Sequence, residues 1–364
     1  MNPGSPGAPP GPGVAVGGPH PGLTPDPASR DGLPAGRRGP LALLSCCDGE
    51  DLAIAVGERL GVAVTPGRDV WFASGEAKYV VGDNVRGCDC YLFQRAIAPG
   101  EVRTVYDRLG AVLHAVDALR HADAARVTLI LPYLPGSRQD KRKNHAREGV
   151  STNLFARLFR TAGVSMVVTV DPHNEAIVGA YDPATCVLEA VSVVAPFAGF
   201  LAERGLVADV VASTDVGGLE LARKYAHLHG RPIAALSKER DYSRPNTVAN
   251  TTVIGEVRGR SVLIVDDIVD TAGSVDAAVR ALWDEGATDV VIAGVHLLLC
   301  GPGVDRMVAL RQEAERRGFT LQVAGTSSVR PANAPTWIHW FGIEPLLASI
   351  IHSVNTRGSV RALE

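Results

Sequence analysis

The stretch Ser261-Val-Leu-Ile-Val-Asp-Asp-Ile-Val-Asp-Thr-Ala-Gly-Ser274 decides the fold of this chain. Ser261–Val265 is a short apolar, β-branched run of the kind that forms a buried strand, and it ends at the acidic pair Asp266–Asp267. A tight turn, Asp270-Thr271-Ala272-Gly273-Ser274, then enters a helix expected over Val275–Glu285. Ligands of open parallel sheets bind beyond the carboxyl ends of the strands. Such a turn offers hydroxyls, successive backbone N–H groups and a helix N-terminus, a combination suited to a phosphate monoester. The acidic pair beside it can accept hydrogen bonds from vicinal sugar hydroxyls or bind magnesium through water. Phosphate next to a diol describes a pentose phosphate. Two other readings explain less. An acidic strand end of the nucleotide-hydrolase kind calls for a G-x-x-x-x-G-K-[ST] loop, and Gly-Lys occurs nowhere in the chain. An ordinary N-cap accounts for Ser274 alone and leaves three aspartates within five positions unexplained.

Outward from this segment, short β-branched runs alternate with amphipathic stretches. Strands are expected at Cys90–Gln94, Val127–Leu131, Val164–Val170, Ala208–Ala212 and Val290–Val295. Helices are expected at Asp51–Leu60, Val102–His121, Thr152–Ala162, Gly218–His229 and Val304–Arg317. Val105, Leu109, Val112, Leu113 and Val116 fall on one helical face. This alternation implies an α/β architecture of parallel sheets covered on both faces. A break near Tyr181–Ala184 divides it into two units, 41–185 and 186–344, followed by a closing helix at Pro345–His352 and a tail to residue 364. The first 40 residues hold 10 of the 39 glycines and 11 of the 24 prolines and read as a disordered extension.

Bulk properties set the outer limits. At 364 residues the chain is long enough for two ordinary domains. Its 36 Lys and Arg against 39 Asp and Glu give a formal charge of −3, which excludes a polybasic nucleic-acid coat. The longest apolar runs, such as Val290–Val295 and Leu297–Cys300, are far below the roughly 18–20 residues of a membrane span. No basic start precedes an apolar run at the N-terminus, and the six cysteines form no Cys-x-x-Cys pair. These features lead us to expect a cytoplasmic protein with free thiols, no membrane and no nucleic-acid partner.

Other stretches carry chemistry less distinctly. Ser137-Arg-Gln-Asp140 follows the loop Pro132–Gly136; an arginine plane there can stack on a purine and reach phosphates, with Gln139 and Asp140 offering hydrogen bonds. Phe72, within Phe72-Ala-Ser-Gly-Glu76, is an aromatic suited to sandwich the same base or to fill a core. His173 sits in Asp171-Pro-His-Asn-Glu175 after one strand, and Asp215 in Ser213-Thr-Asp-Val-Gly-Gly218 after another, so the two units place polar groups alike. Leu236-Ser-Lys-Glu-Arg-Asp-Tyr-Ser-Arg-Pro245 has four consecutive charges and reads as a solvated loop.

Taken together, the Ser261–Ser274 segment resembles the phosphoribosyl-diphosphate binding motif, and the ordered set Phe72–Glu76 with Asn84–Gly87, Ser137–Asp140, Asp171–Glu175, Ser213–Gly218 and Ser261–Ser274 resembles the ribose-phosphate diphosphokinase (PRPP synthetase) family from Leu41 to Leu363. The resemblance implies two tandem phosphoribosyltransferase-like domains of type I, the first on the ATP side and the second on the ribose 5-phosphate side. It implies ATP binding by Phe72, Ser74, Gly75, Glu76, Arg138, Gln139 and Asp140, with the Phe72 segment reaching across a subunit interface. It implies ribose 5-phosphate binding by Arg240, Asp266, Asp267, Asp270, Thr271, Ala272, Gly273 and Ser274, and Mg2+ held by His173 and Asp215. Lys238 and Arg240 become catalytic cations on a loop that closes over the substrates. A homo-oligomer built on dimers and extending to hexamers is also implied.

This chain departs from the family in places. Ser74 stands where Asp or Asn is usual, Ala272 replaces a frequent glycine, Ser274 a usual threonine, and Asn153 occupies a position often held by lysine. Glu239 separates the two loop cations, and Pro172 stiffens the approach to His173. Two competing readings remain open here: a non-catalytic homologue that regulates a partner synthetase, and a phosphoribosyltransferase that consumes the diphosphate. Retention of His173, Asp215, Lys238 and Arg240 stands against the first, and the Arg138–Gln139 and His173 constellation against the second.

Overall fold

The structure, a computed structural model, describes residues 37–97, 99, 102–142, 146–240 and 248–361; at 238–240 and 248–251 it describes the backbone alone. Most of the expected N-terminal extension and the last residues of the tail lie outside the described residues. From Gly36 onward the chain is one compact unit built on two large sheets and a two-stranded hairpin.

The first half runs β1 (Leu41–Ser45), α1 (Glu50–Leu60), β2 (Gly67–Trp71), β3 (Ala77–Val81), β4 (Asp89–Phe93), α2 (Val105–His121), β5 (Arg126–Ile130), α3 (Ser151–Ala162), β6 (Met166–Val170) and β7 (Val187–Val191). Its sheet has the order β1-β4-β5-β6-β7, every pair parallel, and β2–β3 form a separate antiparallel hairpin. Alternate residues of each strand face opposite sides. Leu44, Cys90, Leu92 and Val127 thus pack with Val112, Val116 and Phe159 of α2 and α3, while Leu43, Tyr91 and Phe93 pack with Leu52 and Val56 of α1. The start of α2 is set by a capping box: Thr104 Oγ1 accepts from the Asp107 amide, and the Asp107 carboxylate accepts from the Thr104 amide.

The second half adds α4 (Val194–Glu203), β8 (Val210–Ser213), α5 (Leu219–His229), β9 (Ile233–Arg240), β10 (Val248–Ile254), β11 (Val262–Val269), α6 (Gly273–Asp284), β12 (Val290–Leu297), α7 (Gly303–Arg317), β13 (Leu321–Thr326), β14 (His339–Phe341) and α8 (Glu344–Asn355). Its sheet reads β10-β9-β8-β11-β12-β13-β14 and is parallel except for the β9–β10 hairpin. Val262 and Ile264 face α6 and α7, whereas Leu263 and Val265 face α4 and α5.

Four expectations change. The key strand does not stop at Asp266; it stays paired with β12 through Val269↔Leu297, so the acidic pair lies within the last half of β11. The helix after it starts earlier, at Gly273, with Ala272 rather than Ser274 at the cap. Leu236–Arg240 is strand rather than loop, paired with β10 at Lys238↔Thr251 and Arg240↔Val248. The closing helix is longer at both ends and returns to the first sheet. Leu347, Ile350, Ile351 and Val354 pack with α1, and Asn355 Nδ2 donates to Gly39 O and to Asp89 Oδ2. At about 1.5–3 kcal/mol for each fully buried side chain, that helix is a structural part of the first unit.

Candidate active site

A cleft of about 710 Å³ opens at the carboxyl ends of β6, β8 and β11. Arg138, Asp140, His173, Asn174 and Glu175 line it from the first half, and Thr214, Asp215, Lys224 and the run Asp266–Val275 from the second.

Its floor is the acidic pair. Asp266 is half-buried and accepts a hydrogen bond from Thr214 Oγ1 at 2.9 Å. Burial, reinforced by the adjacent Asp267 charge, pushes its carboxyl up to about 7. Asp267 goes the other way. Burial raises it, but His173 Nδ1, 2.6 Å away, donates to its Oδ2, and this bond with the imidazole's charge holds it below the ordinary value. The same bond raises His173. The two adjacent carboxyls are thus shifted in opposite directions, because only Asp267 has the imidazole of His173 as a partner.

The turn beyond β11 is bent by Ala272, whose φ of 58° is left-handed. That bend brings the first amides of α6 to the cleft. Arg138 Nη1 donates to Asp270 Oδ2 at 2.8 Å across the two halves, and on the outer side Arg306 Nη1 donates to Thr271 O at 2.7 Å.

His173 follows Asp171, itself at a left-handed φ of 32° and tied down by its amide to Val191 O and by Val193 N–H to its Oδ2. Asn174 Nδ2 donates to Asp140 Oδ2 at 2.6 Å, and Lys224 Nζ to Glu175 Oε1 at 3.1 Å. Asp215 caps its own turn, accepting from the Gly218 amide.

The structure therefore brings together Arg138, Asp140, His173, Asp215, Asp266, Asp267 and Asp270–Ser274. It does not bring in Phe72, Ser74, Gly75 or Glu76. Phe72, Gly75 and Glu76 instead line a separate groove with Tyr106 and His114 of α2, and Ser74 Oγ donates to Glu76 Oε2. Gln139 is exposed and accepts from Ser151 Oγ. The side chains of Lys238 and Arg240 lie outside the described residues. Thr214, Lys224 and Arg306 were not singled out from sequence. Thr214 sits inside a quoted motif and was legible; the other two come from helices whose only signal was amphipathicity.

A parallel-sheet pair with a left-handed turn feeding a helix N-terminus beside two acids defines a protein of the phosphoribosyltransferase class. The comparisons narrow it. A sequence model of the N-terminal domain of ribose phosphate pyrophosphokinase matches residues 41–163, and one of the phosphoribosyl transferase domain matches residues 191–324. Ribose-phosphate pyrophosphokinase of Streptomyces avermitilis is 33% identical over 313 residues, 86% of this chain and 92% of that protein. The Mycobacterium leprae enzyme of the same name is 35% identical over 315 residues, with the same coverage. Among solved structures, phosphoribosylpyrophosphate synthetase of Mycobacterium smegmatis superposes with a TM-score of 0.77 at 32% identity, covering 88% of this chain and all of that one. The chain belongs to the ribose-phosphate pyrophosphokinase family.

Proposed function

We propose that the cleft transfers the diphosphoryl group of ATP to the C1 hydroxyl of ribose 5-phosphate, giving 5-phosphoribosyl 1-diphosphate and AMP. One observation carries the reading. The Asp270–Ser274 turn, built for a phosphate, shares a single cleft with Arg138 and Asp140, which project from the other half.

Ribose 5-phosphate docks with its phosphate on the turn and its ring hydroxyls on Asp266 and Asp267. The C1 oxygen attacks the β-phosphorus in line and gives up its hydroxyl proton to solvent, while the bond to the α-phosphate oxygen breaks and its electrons leave with AMP. Fixing the acceptor hydroxyl converts the encounter into a positioned reaction, which supplies much of what phosphoryl transfer asks of a protein. Lys238 and Arg240, on the β9–β10 hairpin, supply cations to the charge spread over the group in transit. Arg138, Gln139 and Asp140 take the nucleotide.

The donor set suits magnesium. His173 donates Nδ1–H to Asp267, the arrangement that ordinarily orients a metal-binding imidazole. Among the described residues no three acidic, His or Cys side chains form a ready cage, so His173 and Asp215 would hold the ion jointly with water and phosphates. When bound it neutralises phosphate charge.

The exposed hairpin residue Phe72, 49% accessible and away from its own cleft, supports a dimer in which the hairpin covers a partner's nucleotide. No helix among the described residues is long and apolar enough to cross a membrane, and no disulfide joins any of the six cysteines. On that absence of disulfides we place the enzyme in the cytoplasm.

The test is AMP formation from ATP and Mg2+ with and without ribose 5-phosphate. Wild type is expected to release AMP only with the sugar, and Lys238→Ala to lower kcat by about 10²–10³ or more, the scale of losing one transition-state cation. Sugar-independent AMP release, or no AMP at all, overturns the reading.

A further inference from the structure

We propose that Arg306 is a positioning residue for the phosphate-binding turn and thereby sets selectivity for a phosphorylated over an unphosphorylated pentose. This rests on the reading that Asp270–Ser274 receives the 5-phosphate.

Arg306 stands in the first turn of α7, an element outside all the motifs that identified the site. Its Nη1 donates to Thr271 O at 2.7 Å, and a Cβ built on Gly273 would stand 3.2 Å from the same nitrogen. The guanidinium therefore lies across the turn at both residues, and a side chain at position 273 would press against it. The start of α7 is equally close: a Cβ on Gly303 would stand 2.9 Å from Asp270 O. Among the described residues Arg306 has no carboxylate partner, so its charge is not spent on an ion pair.

The consequence follows from peptide geometry. In a trans peptide the C=O and the following N–H point in opposite directions, and there is no cis bond here. Holding Thr271 O outward against Arg306 turns the Ala272 N–H inward, toward the cleft. The amides of Ala272, Gly273 and Ser274 have no acceptor among the described residues, which is the state of a helix N-terminus awaiting an anion. Ala272 is a non-glycine residue at a φ of 58°, a conformation that reverts unless its neighbours hold it. Arg306 supplies that hold, and it polarises the Thr271–Ala272 peptide in the sense that strengthens the inward N–H as a donor.

The experiment compares wild type with Arg306→Ala, Arg306→Gln and Arg306→Lys. Steady-state KM is measured for ribose 5-phosphate and for ATP, with calorimetric binding of ribose 5-phosphate in the absence of ATP and inhibition by unphosphorylated ribose. Arg306→Ala is expected to raise the ribose 5-phosphate KM and Kd by about 10–100-fold, the scale of a lost charge-assisted hydrogen bond behind an anion. The ATP KM and ribose inhibition should stay within about 2-fold, and Lys should restore most of the loss because one ammonium N–H reaches the same carbonyl. An unchanged ribose 5-phosphate Kd overturns the inference. So does a parallel loss for ATP or for ribose, which would mark a general structural role. Should the alanine variant fail to fold, the glutamine variant decides on the same readouts. Wild type that binds ribose 5-phosphate without forming AMP would sink the proposed reaction while leaving the Arg306 comparison readable through Kd.

Discussion

Ala272 shows how one residue holds a site open. A left-handed φ costs an alanine about 1–2 kcal/mol, and glycine would avoid that. Glycine would also forfeit about 0.5–1 kcal/mol through the freedom of the unfolded chain and roughly 0.8 kcal/mol for the buried methyl; the side chain is 3% exposed. These terms nearly cancel, so Ala272→Gly is expected to shift the urea-unfolding free energy by less than about 1 kcal/mol, while Ala272→Val, β-branched at positive φ, should cost about 2 kcal/mol or more. A large stabilisation in the glycine variant would show that the turn is not held by its surroundings. This residue scale is also where the sequence was most informative. A run of acids and small residues after an apolar strand has few chemical uses, so Asp266–Ser274 could be read directly, and His173 and Asp215 fell into the same cleft. The divergence of Asp266 from Asp267 could not be read, because it depends on an imidazole 94 positions away. Arg306 was equally hidden, its partner lying 35 positions back on another element.

At the scale of elements, strands and helices with long apolar patterns were legible, while α4 and the β2–β3 hairpin were not. The hairpin strands are five residues each with mostly half-buried faces and no clean alternation. The acidic pair's place within β11 was missed because pairing, not hydrophobicity, extends that strand to Val269. Packing between neighbouring strands adds a constraint that no periodicity reveals. Gly294 of β12 and Gly325 of β13 are opposite one another in register, and a Cβ on either would come within 2.5 Å or less of the Leu297 side chain. Leu297 thus fills the space that two missing side chains leave. Gly325→Ala is expected to destabilise by about 1–3 kcal/mol through overpacking, and Leu297→Ala by about 2–5 kcal/mol through the cavity. Since each change relieves the other, the double variant should lose clearly less than the sum of the two. Strict additivity in a double-mutant cycle by urea unfolding would show that the contact carries no such coupling.

Across the whole molecule, the two halves meet through polar groups at the cleft, through the apolar packing of α8 on α1 and of Tyr133 with Leu298 and Val329, and through one buried imidazole behind the cleft. The tandem arrangement was legible from the break near Tyr181–Ala184, but the joint was not, because His296 sits within an apolar run and looks like an ordinary strand residue. His296 of β12 is fully enclosed. Its Nε2–H donates to Val170 O at the end of β6, and its Nδ1 accepts from Ser328 Oγ at 2.8 Å. Tyr133 packs edge-on against the ring, and Asp267 is the charged group that faces it. Burial holds this imidazole down to about 4, against an ordinary 6.5, and the Asp267 charge opposes the shift without cancelling it. The native state therefore keeps His296 neutral at pH values where the unfolded chain takes up a proton. The unfolded state binds more protons between pH 6.5 and about 4, so stability falls as pH drops through that window, by roughly 1.4 kcal/mol per unit once below 6.5. Urea unfolding at pH 7 and pH 5 should show wild type losing on the order of 2 kcal/mol more than His296→Gln, which retains an amide donor toward Val170 but no titrating group. Equal losses in the two proteins would mean that the acid sensitivity of the joint comes from another group and that His296 is not what the halves must keep neutral to stay together.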